Sequence, residues 1–239
     1  MEKLIEQMFK AGAHFGYSKT KRHPSVKPFI FGTKNRVEIF DLEKTGKSLE
    51  DAKEFAKSIG SKRKKILFVS SKNEALEIIK NEASSIDAPY VAGRWIGGTL
   101  TNYDEIKKRI ARFLKLESDK EKGLLSKYTK KERLMIDREI EKLDKNFGGL
   151  TSLEGLPSAL FIVDPKKEEI ATKEANDKGI PVIALANSDC NIKEITYPIT
   201  ANDSSKTSIE FFVHEIVSAY EEGKKMTPKK EEGKDSIKK

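Results

Sequence analysis

The chain has 239 residues, 35% of them charged and 37% hydrophobic, with a formal net charge of +8. That length suits one large domain or one domain with an extension, and the low apolar content places part of the chain outside a core. No run of about 18 apolar residues exists, which excludes a membrane-spanning helix; the opening Met-Glu-Lys-Leu-Ile-Glu-Gln lacks the layout of a secretory signal.

Cys190 is the only cysteine, so neither a disulfide framework nor a Cys-based zinc site is expected, and a reducing cytoplasm is. From Met8 to Val37 the chain carries seven basic residues and no acid: Lys10, Lys19, Lys21, Arg22, Lys27, Lys34 and Arg36. Residues 104–149 carry fourteen basic and ten acidic groups, and residues 223–239 carry seven and three. Residues 150–222 reverse the balance, with six basic and thirteen acidic. The plain alternative is a solvated, lysine-rich surface. Sorting of this kind favours a polyanion-binding face, nucleic acid above all, built from separate stretches.

In chain order, short apolar runs rich in β-branched residues predict strands at Val37–Leu42, Ile66–Ser70, Tyr90–Ala92, Ala159–Asp164, Val182–Ala186 and Thr196–Ile199. Several lack strict alternation, as strands covered on both faces do. Helical spacing predicts helices over Lys44–Ile59, Lys72–Ala83, Lys166–Lys178 and Ser205–Tyr220, the third stopped by Gly179 and Pro181. Strands alternating with such helices imply right-handed crossovers and a parallel sheet.

Between Asn102 and Phe147 the rhythm breaks. Apolar residues at Ile106, Ile110, Phe113 and Leu114, then at Ile136, Ile140, Leu143 and Phe147, mark two narrow helical stripes between charged flanks. Glu117–Thr129, with Gly123, is the turn. The expected organisation is an α/β core over 1–103 and 148–222, an inserted coiled-coil arm over 104–147, and a disordered basic tail over 223–239.

An α/β sheet invites an enzyme reading, and the parts of one are missing. No GxGxxG follows a strand, no GxxxxGK[ST] occurs, and no GxSxG elbow is present. His14, His23 and His214 have no metal-like spacing, and Cys190 has no activating arrangement. Asp164, Asp189 and Asp203 end or follow predicted strands, at the sheet edge where ligands bind in such enzymes. Acids there more often cap loops. No catalytic residue, metal or cofactor is expected.

The segment GRWIGGTLTN, residues 93–102, joins the core to the arm and holds the only tryptophan. Thr101 or Asn102 can N-cap the arm's first helix. Gly97 and Gly98 permit backbone angles closed to other residues. Arg94 can fork onto a phosphate or guanine edge and Trp95 can stack on a base. Equally, Trp95 can plug the core beneath the joint while Arg94 meets a carboxylate. Beside the acid-free stretch, the nucleic-acid reading is the stronger.

AGAHFG, HPSVKPFIFGTKNRVEIFDLEKT, RWIGGTLTN, KLDKNFGGL, GLPSALFIVDP and KEANDKGIPVIALANSD, in order over residues 5–222, resemble the family of bacterial small ribosomal subunit protein two. The resemblance implies a flavodoxin-like parallel sheet flanked by helices, with a coiled-coil hairpin inserted after RWIGG. It implies a cytoplasmic structural protein between head and body of the small subunit, which contacts rRNA, supports docking of protein one during translation, and is not an enzyme. Matching positions are Gly12, His14, Phe15, Gly16, Pro24, Lys27, Pro28, Phe31, Gly32, Arg36, Arg94, Trp95, Gly97, Gly98, Thr101 and Asn102. The chain departs from the family pattern at Tyr17, at Arg22-His23-Pro24, and in a loop two residues short before Asn187. The RNA-binding set expected is Lys10, His14, Lys19, Lys21, Arg22, His23, Lys27, Lys34, Arg36, Arg94, Trp95, Thr99, Thr101 and Asn102. The rival reading, an RNA-modifying enzyme on an α/β core, would need a cofactor loop; a third is a docking module built on the arm.

Overall fold

The computed structural model describes residues 2–226. Its centre is a five-stranded parallel sheet of β4 (Ile66–Ser70), β5 (Tyr90–Ala92), β6 (Ala159–Val163), β7 (Val182–Ala186) and β8 (Tyr197–Thr200), in the order β5-β4-β6-β7-β8. Numbered among themselves, these strands run 2-1-3-4-5, the flavodoxin-type doubly wound order. Every residue of β4, β6 and β7 is buried. Their alternate side chains feed two cores, because successive Cβ atoms point to opposite faces of a strand.

On one face Phe68, Phe161, Ile183 and Ile199 pack with α2 (Leu42–Ser61), α3 (Asn73–Ser85) and α7 (Lys206–Met226). On the other, Leu67, Val69, Leu160, Ile162 and Ala184 meet α6 (Glu169–Asp177) and residues between β5 and β6, including Trp95, Leu100, Phe147 and Leu150. Phe68 and Phe161, in neighbouring strands, sit with ring centroids 5.5 Å apart. Truncating either to alanine costs about 3–5 kcal/mol in transfer free energy and cavity.

Helix α2 starts where Asp41 Oδ1 accepts hydrogen bonds from the backbone N–H of Glu43 and Lys44. It lies against α7 so closely that a Cβ on Gly223 would overlap the Lys57 carbonyl oxygen. Gly223 is buried inside α7, which runs to Met226, so residues 223–226 belong to this helix and not to the expected tail. The rest of the expected tail, 227–239, lies outside the described residues.

The chain ahead of β4 forms α1 (Glu2–Lys10) and a second, antiparallel sheet of β1 (Phe15–Ser18), β2 (Ile30–Lys34) and β3 (Val37–Phe40), ordered β1-β3-β2. The strand expected at Val37–Leu42 thus exists but does not belong to the parallel sheet. Its residues alternate, with Glu38 and Phe40 buried and Val37 and Ile39 half-buried, as a one-sided strand requires. Residues 11–25 lie over the loops after β7 and β8. Tyr17 N–H donates to Ser188 Oγ, His23 N–H to the Ser188 carbonyl, and Asn202 N–H to the Ala13 carbonyl. The small sheet is thereby held on the carboxyl edge of the large one.

Between β5 and β6 run α4 (Tyr103–Glu121) and α5 (Lys130–Phe147). Gly123, at φ 69°, turns the chain, and a capping box of Thr129 and Glu132 starts α5. Arg112 grips Glu139 through Nε at 2.6 Å and Nη2 at 3.0 Å, and Lys120 pairs with Asp137 at 2.7 Å. Ile106, Ile110, Phe113, Leu143 and Phe147 are buried along the seam, whereas Leu114 is exposed.

Candidate nucleic-acid interface

The crevice at the carboxyl edge, where α/β folds of this order hold ligands, lies between β4 and β6. Here it is filled by the protein's own side chains. Lys72 reaches between Asp164, at 3.1 Å, and the fully buried Asp203, at 2.9 Å. Burial pulls the Lys72 pKa down, but Asp203 and Asp164 outweigh it, so its ammonium is held charged. Asp203 also accepts from Asn187 Nδ2 at 2.6 Å. Glu168 accepts from the Ser71 N–H at 2.8 Å and from the Ser71 hydroxyl. Burial, followed by Asp189, Asp164 and Asp203, pushes the Cys190 thiol pKa far up, which keeps it an inert core residue.

The acid-free stretch wraps the outside of this edge. Lys19 and Lys21 stand exposed on a 3-10 turn after β1, with Lys21 Nζ 5.4 Å above the Tyr17 ring. Lys27 is exposed on a second 3-10 turn, Pro24–Phe29, whose first amide is capped when Ser25 N–H donates to His23 Nδ1. Lys34 and Arg36 flank the β2–β3 turn, where Asn35 and Arg36 adopt φ of 51° and 66°. Positive φ at two successive residues is what a tight hairpin demands, and the turn projects both cations into solvent. Among the described residues, Lys19, Lys27, Lys34 and Arg36 have no carboxylate partner. Phe31, 82% exposed, adds an uncovered aromatic ring between them.

Four expected RNA contacts in this stretch have other engagements. Arg22 Nη1 donates to Glu38 Oε1 at 2.8 Å, neutralising a fully buried carboxylate. Lys10 pairs with Glu6 at 2.7 Å. His14 stacks on Phe9, with centroids 4.5 Å apart, and meets Phe15 at a tilt with centroids 4.0 Å apart, and burial lowers its pKa. His23 is used as the turn cap.

The joint is resolved by Glu174, which sequence reasoning missed. Its carboxylate, on α6, accepts from Trp95 Nε1 at 3.2 Å, Gly98 N–H at 2.7 Å, Leu100 N–H at 3.0 Å, and Thr101 N–H and Oγ1 at 3.1 and 3.2 Å. Burial pushes the Glu174 pKa up, and the donors from Leu100, Gly98, Trp95 and Thr101 outweigh it, leaving it below the ordinary Glu value. Glu174 shares the buried face of α6 with Ala171 and Ala175; an acid on an apolar face was the signal available.

Several joint expectations change accordingly. Trp95 is only 6% exposed and packs with Leu67 and Leu160, so it cannot stack on a base. Thr99 is buried with its hydroxyl on the Ile96 carbonyl. The Thr101 hydroxyl belongs to Glu174. Asn102 stands at the N-cap position of α4 and is exposed, but its side chain makes no cap bond. Gly98, at φ 91°, is the glycine whose conformation matters; Gly97 faces open space. Arg94 is exposed with no partner among the described residues, so it alone of the pair is presented to solvent. It follows β5, at the opposite end of the sheet from β7 and β8, roughly 14–19 Å from the loops beneath the basic stretch at about 4.8 Å per strand. The two are neighbours along one rim, not one patch.

Comparison with known proteins matches residues 8–223 to the family described as ribosomal protein S2. The chain is 45% identical over 226 residues to the small ribosomal subunit protein uS2 of Dictyoglomus thermophilum, covering 95% of this chain and 92% of that protein. It is 41% identical to that of Salinibacter ruber over 96% of this chain and 72% of the relative, and 39% identical to that of Pseudoalteromonas translucida over 93% and 92%. On this similarity along nearly its whole length, the chain belongs to the ribosomal protein S2 family, whose members are structural proteins of the small ribosomal subunit and not enzymes.

Proposed function

We propose that the protein binds small-subunit rRNA through the small antiparallel sheet and its turns, with Arg94 as a separate contact farther along the same rim. The observation that carries this is the set of exposed cations without carboxylate partners, Lys19, Lys27, Lys34 and Arg36, on a rigid scaffold pinned to the carboxyl edge. Such cations lose little on desolvation beside phosphates and release counterions on binding. The role is architectural, in the cytoplasmic ribosome, between head and body of the subunit. Helices α4 and α5 are read as a coiled-coil arm that extends the contact. Phe9, Phe15 and Phe31, exposed beside the basic turns, supply apolar surface for a protein neighbour, and protein one is the partner we assign to it.

The test is rebinding of the full chain to small subunits depleted of it, measured across a salt series. Lys19→Glu, Lys27→Glu and Lys34→Glu together are expected to weaken rebinding at least ten-fold and to flatten the plot of log affinity against log salt by about 2–3, at about 0.9 per phosphate contact. Rebinding equal to wild type, in a variant that melts normally, removes this stretch as the docking face. Arg22 is left out because its reversal would leave the buried Glu38 unpaired and would test the fold.

A further inference from the structure

We infer that an open groove at the amino edge of the parallel sheet, lined by Arg63, Lys65, Lys224 and Lys225 and flanked in sequence by the exposed Lys62 and Lys64, is a second phosphate-binding surface that takes a different RNA segment from the one held by the small antiparallel sheet. The inference rests on the rRNA-binding reading above and extends it to the opposite end of the molecule. The groove encloses about 850 Å³, and Tyr220 and Asp87 also line it.

Three elements converge there. Helix α2 ends at Ser61 and delivers four consecutive basic residues, 62–65, before β4 begins. The segment after α3 contributes Ile86 and Asp87, and the last turn of α7 contributes Lys224 and Lys225. The Tyr220 hydroxyl ties the elements together by donating to the Lys64 carbonyl at 2.9 Å.

Among the described residues, Asp87 and Glu221 line the groove beside these cations, and both are already engaged. Asp87 accepts from Lys65 at 2.8 Å, and Glu221 pairs with Lys225 at 3.0 Å. Lys62 and Lys64 are exposed without a carboxylate partner among the described residues. Lys224 is the most telling. Its ammonium donates to the Ile86 carbonyl at 2.5 Å and lies 4.7 Å from the Tyr220 ring centroid, with no carboxylate in ion-pair range among the described residues. Burial, and then repulsion from Lys65, lowers its pKa against the weaker opposing pull of Asp87 and Glu221. A half-buried cation facing other cations is under-compensated, and a phosphate seated in the groove supplies the missing charge.

The partner is assigned as nucleic acid because Arg63, Lys65, Lys224 and Lys225 outnumber Asp87 and Glu221 along an open furrow that also includes Ser84 and Ser85. One RNA phosphate cannot serve both surfaces. Helix α7, 21 residues long, runs from the carboxyl edge to this groove and spans about 32 Å at about 1.5 Å per residue.

The test uses the same rebinding of the full chain to depleted small subunits across a salt series. The variant carries Lys62→Glu, Lys64→Glu and Lys225→Glu, and is compared with wild type and with the Lys19, Lys27, Lys34 variant. The expected result is rebinding about ten- to a hundred-fold weaker near 0.1 M salt, with the salt slope reduced by about 2–3. A neutral version, with glutamine at the same three positions, is expected to reduce the slope in the same direction while removing any folding penalty of charge reversal. Wild-type affinity and slope in both groove variants, alongside a weakened Lys19, Lys27, Lys34 variant, overturns the groove and leaves the first surface standing; the lysines then only complement the helix C-termini. Weaker rebinding with an unchanged slope also overturns it, because the groove then meets a protein neighbour rather than phosphate. Loss at the groove with none at the small sheet overturns the proposed primary face instead.

Discussion

Replacing Glu174 by alanine removes the acceptor for five hydrogen bonds that hold residues 95–101 onto α6. Gly98 and Thr101 lie nearer the surface, so their N–H groups regain water. Trp95 Nε1 and Leu100 N–H do not, because Trp95 is 6% and Leu100 1% exposed. Each buried orphan donor costs about 1–3 kcal/mol, giving about 4 kcal/mol for the pair. For a chain of this size that is a fall of about 8–16 °C in Tm. Glu174→Gln keeps the volume and one acceptor oxygen but turns an NH2 group toward N–H donors, so about half that loss is expected. Trp95, the only tryptophan, reports the site directly, so the melt is followed by its emission as well as by circular dichroism. The folded Glu174 pKa lies below its ordinary value of 4.5, so its stabilisation is present above that pH and fades as pH falls through the folded value. Wild-type and Glu174→Gln stabilities should therefore converge on acidification. A Glu174→Ala protein melting within about 2 °C of wild type, less than about 1 kcal/mol, would refute the reasoning.

Three further outcomes are expected. Gly98→Val should cost about 1–3 kcal/mol because valine is strained at φ 91°, whereas Gly97→Val, with nothing within 4 Å of its added carbon, should cost under about 1 kcal/mol; equal urea midpoints would contradict this. Lys72→Met leaves Asp164 and the buried Asp203 facing each other without a cation, for an expected loss of about 3–5 kcal/mol, and a calorimetric melt unchanged from wild type would show the triad to be dispensable. Arg94→Ala should leave the melt within about 0.5 kcal/mol of wild type, since the side chain is exposed and has no partner among the described residues, yet lower occupancy on rebuilt subunits; normal occupancy would remove Arg94 from the interface.

Six of the strands, the main helices and the interruption between Asn102 and Phe147 are legible in the sequence because each depends on local periodicity. Ile66–Ser70 and Val182–Ala186 are short, nearly continuous apolar runs, the pattern of strands covered on both faces. The concentration of unopposed cations between Met8 and Val37 is equally a property of the chain itself. Pairing is not. Val37–Phe40 looks like the other strands until its partners are known, and those partners, β1 (FGYS) and β2 (IFGTK), carry glycine and polar residues that blur the strand pattern. The same holds for the side chains of the candidate site. Arg22 and Arg36 are chemically alike, and only the fold places Glu38 beside the first and solvent beside the second. Trp95 and Arg94 are adjacent residues, yet one is drawn into the core by a carboxylate 79 residues away and the other is left outside. Composition sets how much charge the surface must carry; which cations remain free for RNA is decided by the carboxylates that long-range packing brings against the rest.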